Sequence, residues 1–341
     1  MRDRALVNSI GLDSAADGRK LSLAVVGAGV VGFTTGKGFQ ARGYDVIFCD
    51  VNADRLAELR NLGFAAIPPL RLAAAEADAH LICVPSPTRG GRIDLSSVEH
   101  AATTVASAIA NHPGWPLVVL RSTVPPGTTE GVVKPILERV SGRRAGSEFG
   151  LCVNPEFLRA ATAEDDFANP RVILVGALDE HSASALLAIY EPWNGVPVVT
   201  TDLRSAEASK YVANVFNAVK ISFFNEMLRI LTAIGADSDA AFDAAVLGGP
   251  GFWDPRYGTV CGAPFGGACL PKDIAAFLGF AEDLGFGDLV PLLRAAIRVN
   301  EEMAEGIAGP SSNVLPVGER NGIASGSGGD GHSASALEVE G

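Results

Sequence analysis

The 341-residue sequence predicts an α/β fold, a doubly wound parallel sheet followed by a small all-α region, and three observations predict it. Short apolar runs recur with helix-like stretches between several of them, the first run ends in a cluster of glycines, and after residue 201 the strand pattern gives way to a long stretch free of Gly and Pro. The strand-like runs are residues 21–26, 46–49, 81–84, 117–120, 151–153 and 172–175. The stretch 207–234, preceded by Thr201 and Asp202 as a cap, predicts a long helix of about 42 Å that leaves the sheet. A Gly/Pro-rich loop over 248–267 and two further helical stretches ending near Glu305 complete a small helical second domain. Residues 306–341 hold nine Gly and six Ser and no aromatic residue, a composition that predicts a disordered tail. The predicted organisation is a flexible leader over 1–20, a sheet domain over 21–200, a central helix plus helical domain over 201–305, and the tail.

Composition excludes several classes of function. Hydrophobic residues make up 48% of the chain and charged residues 19%, which suits folded domains, and the net charge of −12 has the wrong sign for a protein that neutralises nucleic-acid phosphates. The longest apolar stretches, such as 116–120 and 171–177, fall far short of the roughly 20 residues that span a bilayer. The leader scatters Arg2, Asp3, Arg4, Asp13 and Asp17 where a signal peptide would carry an apolar segment, so a cytoplasmic location is expected. Five cysteines form no CxxC pair, and five histidines form no HExxH, so no metal site is expected.

Residues Gly27-Ala28-Gly29-Val30-Val31-Gly32 follow the first apolar run directly. Glycines at those spacings allow a tight turn, close approach of backbone to a pyrophosphate, and a helix N-terminus aimed at its charge. The second run ends at Asp50, where a carboxylate can accept hydrogen bonds from a ribose diol and would repel a 2′-phosphate. A dinucleotide site that prefers NAD over NADP is the expectation.

A second chemical signal is Phe265-Gly266-Gly267-Ala268-Cys269-Leu270-Pro271-Lys272-Asp273. It sets a cysteine at a helix start, where the helix terminus and Lys272 favour thiolate and Asp273 opposes it. Cys49, Cys83 and Cys152 sit in or at the end of strand-like runs and read as small buried hydrophobes. On the long helix Lys210 and Asn214 share a face, and Val212, Phe216, Val219 and Phe223 trace an apolar stripe. Spacing alone gives Lys210 and Asn214 no more than a solvated face.

Six ordered blocks resemble the UDP-glucose/GDP-mannose dehydrogenases, over about residues 21–305. They are 25–32, Val84-Pro85-Ser86-Pro87-Thr88 with Asp94-Leu95-Ser96, residues 122–129 (Ser122-Thr123-Val124-Pro125-Pro126-Gly127 and two threonines), Asn154-Pro155-Glu156-Phe157-Leu158, 207–226, and 265–273. The resemblance implies an NAD-binding Rossmann domain, a long connecting helix, and oxidation of a nucleotide-sugar primary alcohol to the carboxylate with two NAD. It implies Cys269 as the nucleophile that holds the first aldehyde as a thiohemiacetal and then becomes a thioester. Lys210, Asn214 and Asp273 would hold water and stabilise oxygen charge, Glu156 would be the base for thioester hydrolysis, and Thr123 would position water or cofactor. Cofactor contacts would come from Gly27, Gly29, Val30, Val31, Gly32, Asp50, Arg55, Val84, Pro85, Ser86, Ser122, Thr123 and Lys272. Substrate contacts would come from Glu156, Phe157, Leu158, Lys210, Asn214, Gly258, Gly262 and Gly266, with Arg256 reaching a neighbouring subunit's sugar. A homodimer through the central helix is implied as well.

The sequence departs from the family pattern in two ways. The family continues with a further nucleotide-gripping domain where this chain has its Gly/Ser tail, and it has Glu-Gly where this chain has Ala160-Ala161. The leading expectation is therefore four-electron oxidation of an anionic primary alcohol, either a nucleotide sugar or a smaller phosphorylated or phosphonate alcohol. A two-electron dehydrogenase that stops at the aldehyde, and a non-catalytic or split NAD-binding subunit, are the alternatives.

Overall fold

Successive side chains of a strand point to opposite faces, and β1 (Ser22–Val26) divides accordingly: Leu23 and Val25 enter one core, Ala24 and Val26 the other. A strand buried on both faces reads as an uninterrupted apolar run, which is why the sequence shows these segments so clearly. The computed structural model describes residues 20–259 and 261–306; the expected leader and tail lie outside the described residues except for Lys20 and Gly306.

In chain order the first unit contains β1, α1 (Val30–Ala41), β2 (Asp45–Cys49), α2 (Ala53–Asn61), β3 (Ala65–Ile67), β4 (Ala79–Ile82) and a small hairpin, β5 (Thr88–Arg89) with β6 (Arg92–Ile93). It continues with α3 (Ser96–Ile109), β7 (Leu117–Leu120), α4 (Lys134–Ser141), β8 (Gly150–Val153), α5 (Ala163–Ala168), β9 (Ile173–Ala177), α6 (Glu180–Ile189) and β10 (Val198–Asp202). The eight-stranded sheet runs β10-β9-β8-β7-β4-β1-β2-β3. Phe39 of α1 and Leu186 of α6 pack on one face, and Val105 of α3 and Leu137 of α4 on the other, so the sheet is doubly wound. All pairings are parallel except β8 with β9, which are antiparallel. The doubly wound parallel sheet expected is present, and its one antiparallel pair was not announced, because an apolar run carries no direction. Strands β3 and β10 were not anticipated, and β4 lies two residues earlier than 81–84, leaving Cys83-Val84-Pro85 to form the loop at its end.

Helix α7 (Leu203–Ala233) begins four residues before the expected 207. Asp202 caps it, accepting from the Ser205 N–H at 2.8 Å and from its hydroxyl at 2.6 Å, and these bonds hold the Asp202 carboxyl below its usual pKa. The chain divides into two compact units after Phe216, inside α7. The reason is burial: Leu203 and Ala206 belong to a core of the sheet unit, so the first turns of the helix are part of it.

The second unit continues α7 and adds α8 (Ser238–Gly248), α9 (Pro250–Trp253), α10 (Leu270–Asp283) and α11 (Pro291–Ala304). Helix α8 was not anticipated, and α9 interrupts what the sequence suggested was a loop. The buried core here is small, formed by Ile230, Ala281 and Val290, while Phe224 meets Phe242 and Phe252 edge to edge or tilted. Glu226 caps α11 by accepting from the N–H groups of Leu292 and Leu293 at 2.8 and 3.0 Å. Among the described residues no helix is long and apolar enough to cross a membrane.

Candidate active site

The glycine turn joins β1 to α1, and each glycine in it has a separate physical reason. Gly27 has φ of +94°, and a Cβ there would stand 2.7 Å from the Cys83 carbonyl oxygen. A Cβ on Gly32 would fall 1.8 Å from the Gly27 carbonyl oxygen, so helix and turn meet only through glycine. Gly29 is the opposite case: nothing lies within 4 Å of its missing Cβ. The turn thus presents open backbone at the N-terminus of α1, the geometry a pyrophosphate needs.

Asp50 closes the next edge of this cavity. Its Oδ2 accepts from the Ala28 N–H at 2.7 Å and its Oδ1 from the Asn52 N–H at 2.9 Å, so the carboxylate is fixed beside the turn with lone pairs left for a diol. Arg55 donates through Nε to the Ala28 carbonyl at 2.9 Å and lies 4.9 Å over the Phe33 ring. Gly27, Gly29, Val30, Asp50, Arg55, Val84 and Pro85 all line a single cavity of about 790 Å³. Val31 does not line it; it is half-buried on α1. The residues fit NAD: an open glycine cradle, a fixed carboxylate and largely apolar walls.

The loops after β4 and β7 lie side by side on the other half of the sheet edge. Ser86 donates to the Thr123 carbonyl at 2.5 Å, and Ser122 to the Val84 carbonyl at 2.7 Å, tying the two loops together. The loop after β8 carries Glu156, and α7 delivers Lys210 to it across 54 positions of sequence. Lys210 Nζ donates to the Glu156 carbonyl at 2.6 Å and to its Oε1 at 3.0 Å, with both side chains about nine-tenths buried. Glu156 Oε2 accepts from the Leu158 N–H, and the Phe157 ring lies 5.5 Å from the ammonium. A buried ion pair this well bonded is costly to break, since removing either partner strands the other charge. Asn214, one turn beyond Lys210, is exposed.

Glu207 and Arg121 are missed by the sequence reading as site supports. Glu207 is buried at the start of α7 and accepts from the Gly127 N–H and from the N–H and hydroxyl of Thr129, which fixes the loop carrying Thr123. Arg121, also buried, donates to the Tyr190 hydroxyl at 2.8 Å and to Asn154, which precedes the Glu156 loop. Neither pairing has a local sequence spacing that could have revealed it.

In the second unit Cys269 is exposed and occupies the N-cap position of α10, with Pro271 in the first turn. Lys272 and Asp273 bond to one another through their side chains. The loop before the cysteine is clasped by Asn300 of α11, which accepts from the Phe265 N–H at 2.6 Å and donates to its carbonyl at 3.2 Å. Gly266 has open space around it, and Gly258 and Gly262 adopt φ of +73° and +95° in the loop after α9. Arg256 is exposed in that loop, its N–H bonded to the Asp254 carboxylate at 2.8 Å. Burial pushes the thiols of Cys49 and Cys83 up to about 12 and about 11, and that of Cys152 up as well, so these three are chemically quiet. Among the described residues no cluster of three or more His, Cys, Asp or Glu could hold a metal ion.

Comparison with known proteins shows the family. Residues 61–194 match the sequence profile of the UDP-glucose/GDP-mannose dehydrogenase family NAD binding domain, and residues 204–302 match the profile of the family's central domain. The UDP-glucose 6-dehydrogenase AglM of Haloferax volcanii is 36% identical over 84% of this chain and 70% of its own length. The GDP-mannose 6-dehydrogenase of Pseudomonas putida is 34% identical over 84% of this chain and 69% of its own. Among solved structures, a ternary complex of GDP-mannose dehydrogenase from Pseudomonas aeruginosa superposes with a TM-score of 0.76 at 32% identity, covering 83% of this chain and 69% of that one. A UDP-glucose dehydrogenase from Pyrobaculum islandicum gives 0.62 at 37% identity, covering 84% and 69%. The chain belongs to the UDP-glucose/GDP-mannose dehydrogenase family and is an NAD-dependent dehydrogenase.

Proposed function

We propose that the chain oxidises the 6-hydroxymethyl group of a nucleoside-diphosphate sugar to a carboxylate in two two-electron steps. The observation that supports this reading is the buried Lys210–Glu156 pair at the C-terminal edge of the sheet, which offers an ammonium and an oriented carboxylate. Bound NAD supplies the hydride acceptor for each oxidation. In the first step Asp273 or a water held by it takes the alcohol proton, and Lys210 and Asn214 stabilise the oxygen as it gains charge. The Cys269 thiolate then adds to the aldehyde carbon, forming the C–S bond, and the oxygen takes up a proton as the thiohemiacetal. Loss of a second hydride and that hydroxyl proton gives the Cys269 thioester. Glu156 removes a proton from water, which adds to the acyl carbon; the C–S bond breaks and the thiol is restored with release of the acid. The aldehyde never leaves the site.

Residues 21–200 serve the cofactor in this reading and residues 201–305 serve the substrate and a homodimer. The exposed apolar stripe of Val212, Phe216 and Val219 on α7 supports the dimer. Five free thiols and a soluble nucleotide cofactor suit a cytoplasmic location.

The test is turnover by the purified chain with UDP-glucose, GDP-mannose and a set of smaller phosphorylated primary alcohols. The expected result is two NADH per carboxylate on a nucleotide sugar, and none with Cys269→Ala. One NADH with free aldehyde would overturn the four-electron step, and turnover of only the smaller alcohols would overturn the substrate class. Lys210→Met is expected to lower kcat by about 10²- to 10³-fold, the usual cost of losing one preorganised charge stabiliser.

A further inference from the structure

The sheet order divides the dinucleotide cavity into two halves. Strand β1 carries the glycine turn; β2 with Asp50 lies on one side of it, and β4, β7 and β8, which lead to Ser86, Thr123 and Glu156, lie on the other. A dinucleotide whose pyrophosphate rests on Gly29 therefore has its adenosine over β2 and its reactive ring toward Glu156. The remaining wall comes from Pro69 and from one face of α3: Ser97, His100, Ala101 and Thr104. Helix α3 packs against the 3₁₀ turn Pro69–Ala75, which follows β3, the strand beyond β2. This wall consequently belongs to the adenosine half.

Of the polar side chains on that wall, the Ser97 hydroxyl can both donate and accept and so does not discriminate, and local bonds decide what the other two can read. The Thr104 hydroxyl donates to the His100 carbonyl at 3.0 Å, so its hydrogen is turned back into the helix. His100 Nδ1 lies 2.7 Å from the Ser96 carbonyl oxygen, which can only accept. Nδ1 is therefore the donor, and in the Nδ1–H tautomer that this bond selects Nε2 is a lone pair in a side chain that lines the cavity. Adenine and hypoxanthine differ at the 6-position in just this respect: one offers an amine that donates, the other an oxo group that accepts.

We propose that His100 reads the 6-position of the purine, Nε2 accepting from the exocyclic amine, and so makes the chain selective for a 6-amino over a 6-oxo dinucleotide. The proposal rests on placing the dinucleotide in this cavity. An oxo group set against the Nε2 lone pair leaves two acceptors facing one another, the mismatch by which a polar site rejects a near-isostere. His100 is exposed on the helix surface, so its replacement does not open the core.

The experiment is calorimetric binding of NAD and of nicotinamide hypoxanthine dinucleotide to the full chain and to His100→Leu, His100→Gln and Asp50→Ala. The expected result is NAD bound about tenfold more tightly than the hypoxanthine analogue by the wild type, the value of one hydrogen bond made or opposed. His100→Leu brings that ratio close to one by weakening NAD and relieving the analogue's acceptor–acceptor mismatch, and His100→Gln, whose amide oxygen can accept, restores part of it. Equal weakening of both dinucleotides by His100→Leu, or an unchanged ratio, overturns the role of His100. Undiminished binding to Asp50→Ala would instead overturn the placement of the dinucleotide, and the role of His100 with it.

Discussion

The two units of the chain bury their apolar side chains to very different degrees. In the first, strands filled on both faces and helices on each side produce two extended cores, with residues such as Phe39, Phe48, Leu81, Leu120 and Phe149 fully enclosed. In the second, the buried set is Ile230, Ala281 and Val290, while Ile221, Val246, Leu247 and Trp253 stay exposed. The sheet unit satisfies itself; the helical unit presents apolar surface that a monomer rarely leaves open. The two units also differ in the polar groups they hold: the first encloses the Lys210–Glu156 ion pair, and the second leaves the Cys269 thiol exposed.

The largest contrast between the units is in thiol reactivity. Excess iodoacetamide on the native chain is expected to label Cys261 and Cys269, both exposed, and to leave the buried Cys49, Cys83 and Cys152 untouched. Intact mass before and after denaturation counts the labels. A label on Cys83 in the native protein would mean that the sheet unit opens more readily than its core implies. A second way to break the comparison is to charge the exposed stripe. Phe216→Glu is expected to weaken self-association by at least about a hundredfold, the scale of a central aromatic contact. Light scattering across a dilution series reads it, and an unchanged association state, or a wild type that does not self-associate, would overturn the dimer proposed through α7.

Where the units share α7, the first turn of the helix is fastened to the sheet by Glu207, which accepts three bonds from the turn at Gly127 and Thr129. Glu207→Ala strands two backbone N–H groups and a hydroxyl and should cost about 3 kcal/mol in urea unfolding. A loss within a few tenths of zero would show that water replaces the carboxylate and that the junction is looser than its burial suggests.

Much of the sheet unit was legible in the sequence because its physics is local. Residues 117–120 are apolar at every position since both faces are buried, and the first and third glycines of the turn are demanded by contacts with the chain's own backbone. What escaped was non-local. The pairing of Lys210 with Glu156 joins a helix to a loop 54 residues away, and spacing on the helix alone suggested a solvated face. Helix α8, with the sequence Ser-Asp-Ala-Ala-Phe-Asp, has too weak an apolar pattern to stand out, and none of its residues is buried. The antiparallel β8–β9 pair escaped because a four-residue apolar run fits either direction.

The smallest effect is internal to the self-contained unit and tests how complete its burial is. His80 lies on β4, 1% exposed, with no hydrogen-bond partner for Nδ1 among the described residues, and burial, aided by nearby His112, lowers its pKa from 6.5 to about 3. In the unfolded chain the ring is free to take a proton below about 6.5, whereas the folded ring stays neutral down to about 3. The unfolded state therefore binds more protons in that window, so stability falls as the pH falls and is unaffected above it. Between pH 7.5 and pH 5 this one ring should remove about 2 kcal/mol. Urea melts of the wild type and of His80→Leu at the two values isolate the contribution, because the leucine variant has no proton to gain and should lose about 2 kcal/mol less. Equal losses in the two proteins would mean that water reaches the His80 ring in the folded state, and with it the centre of the sheet.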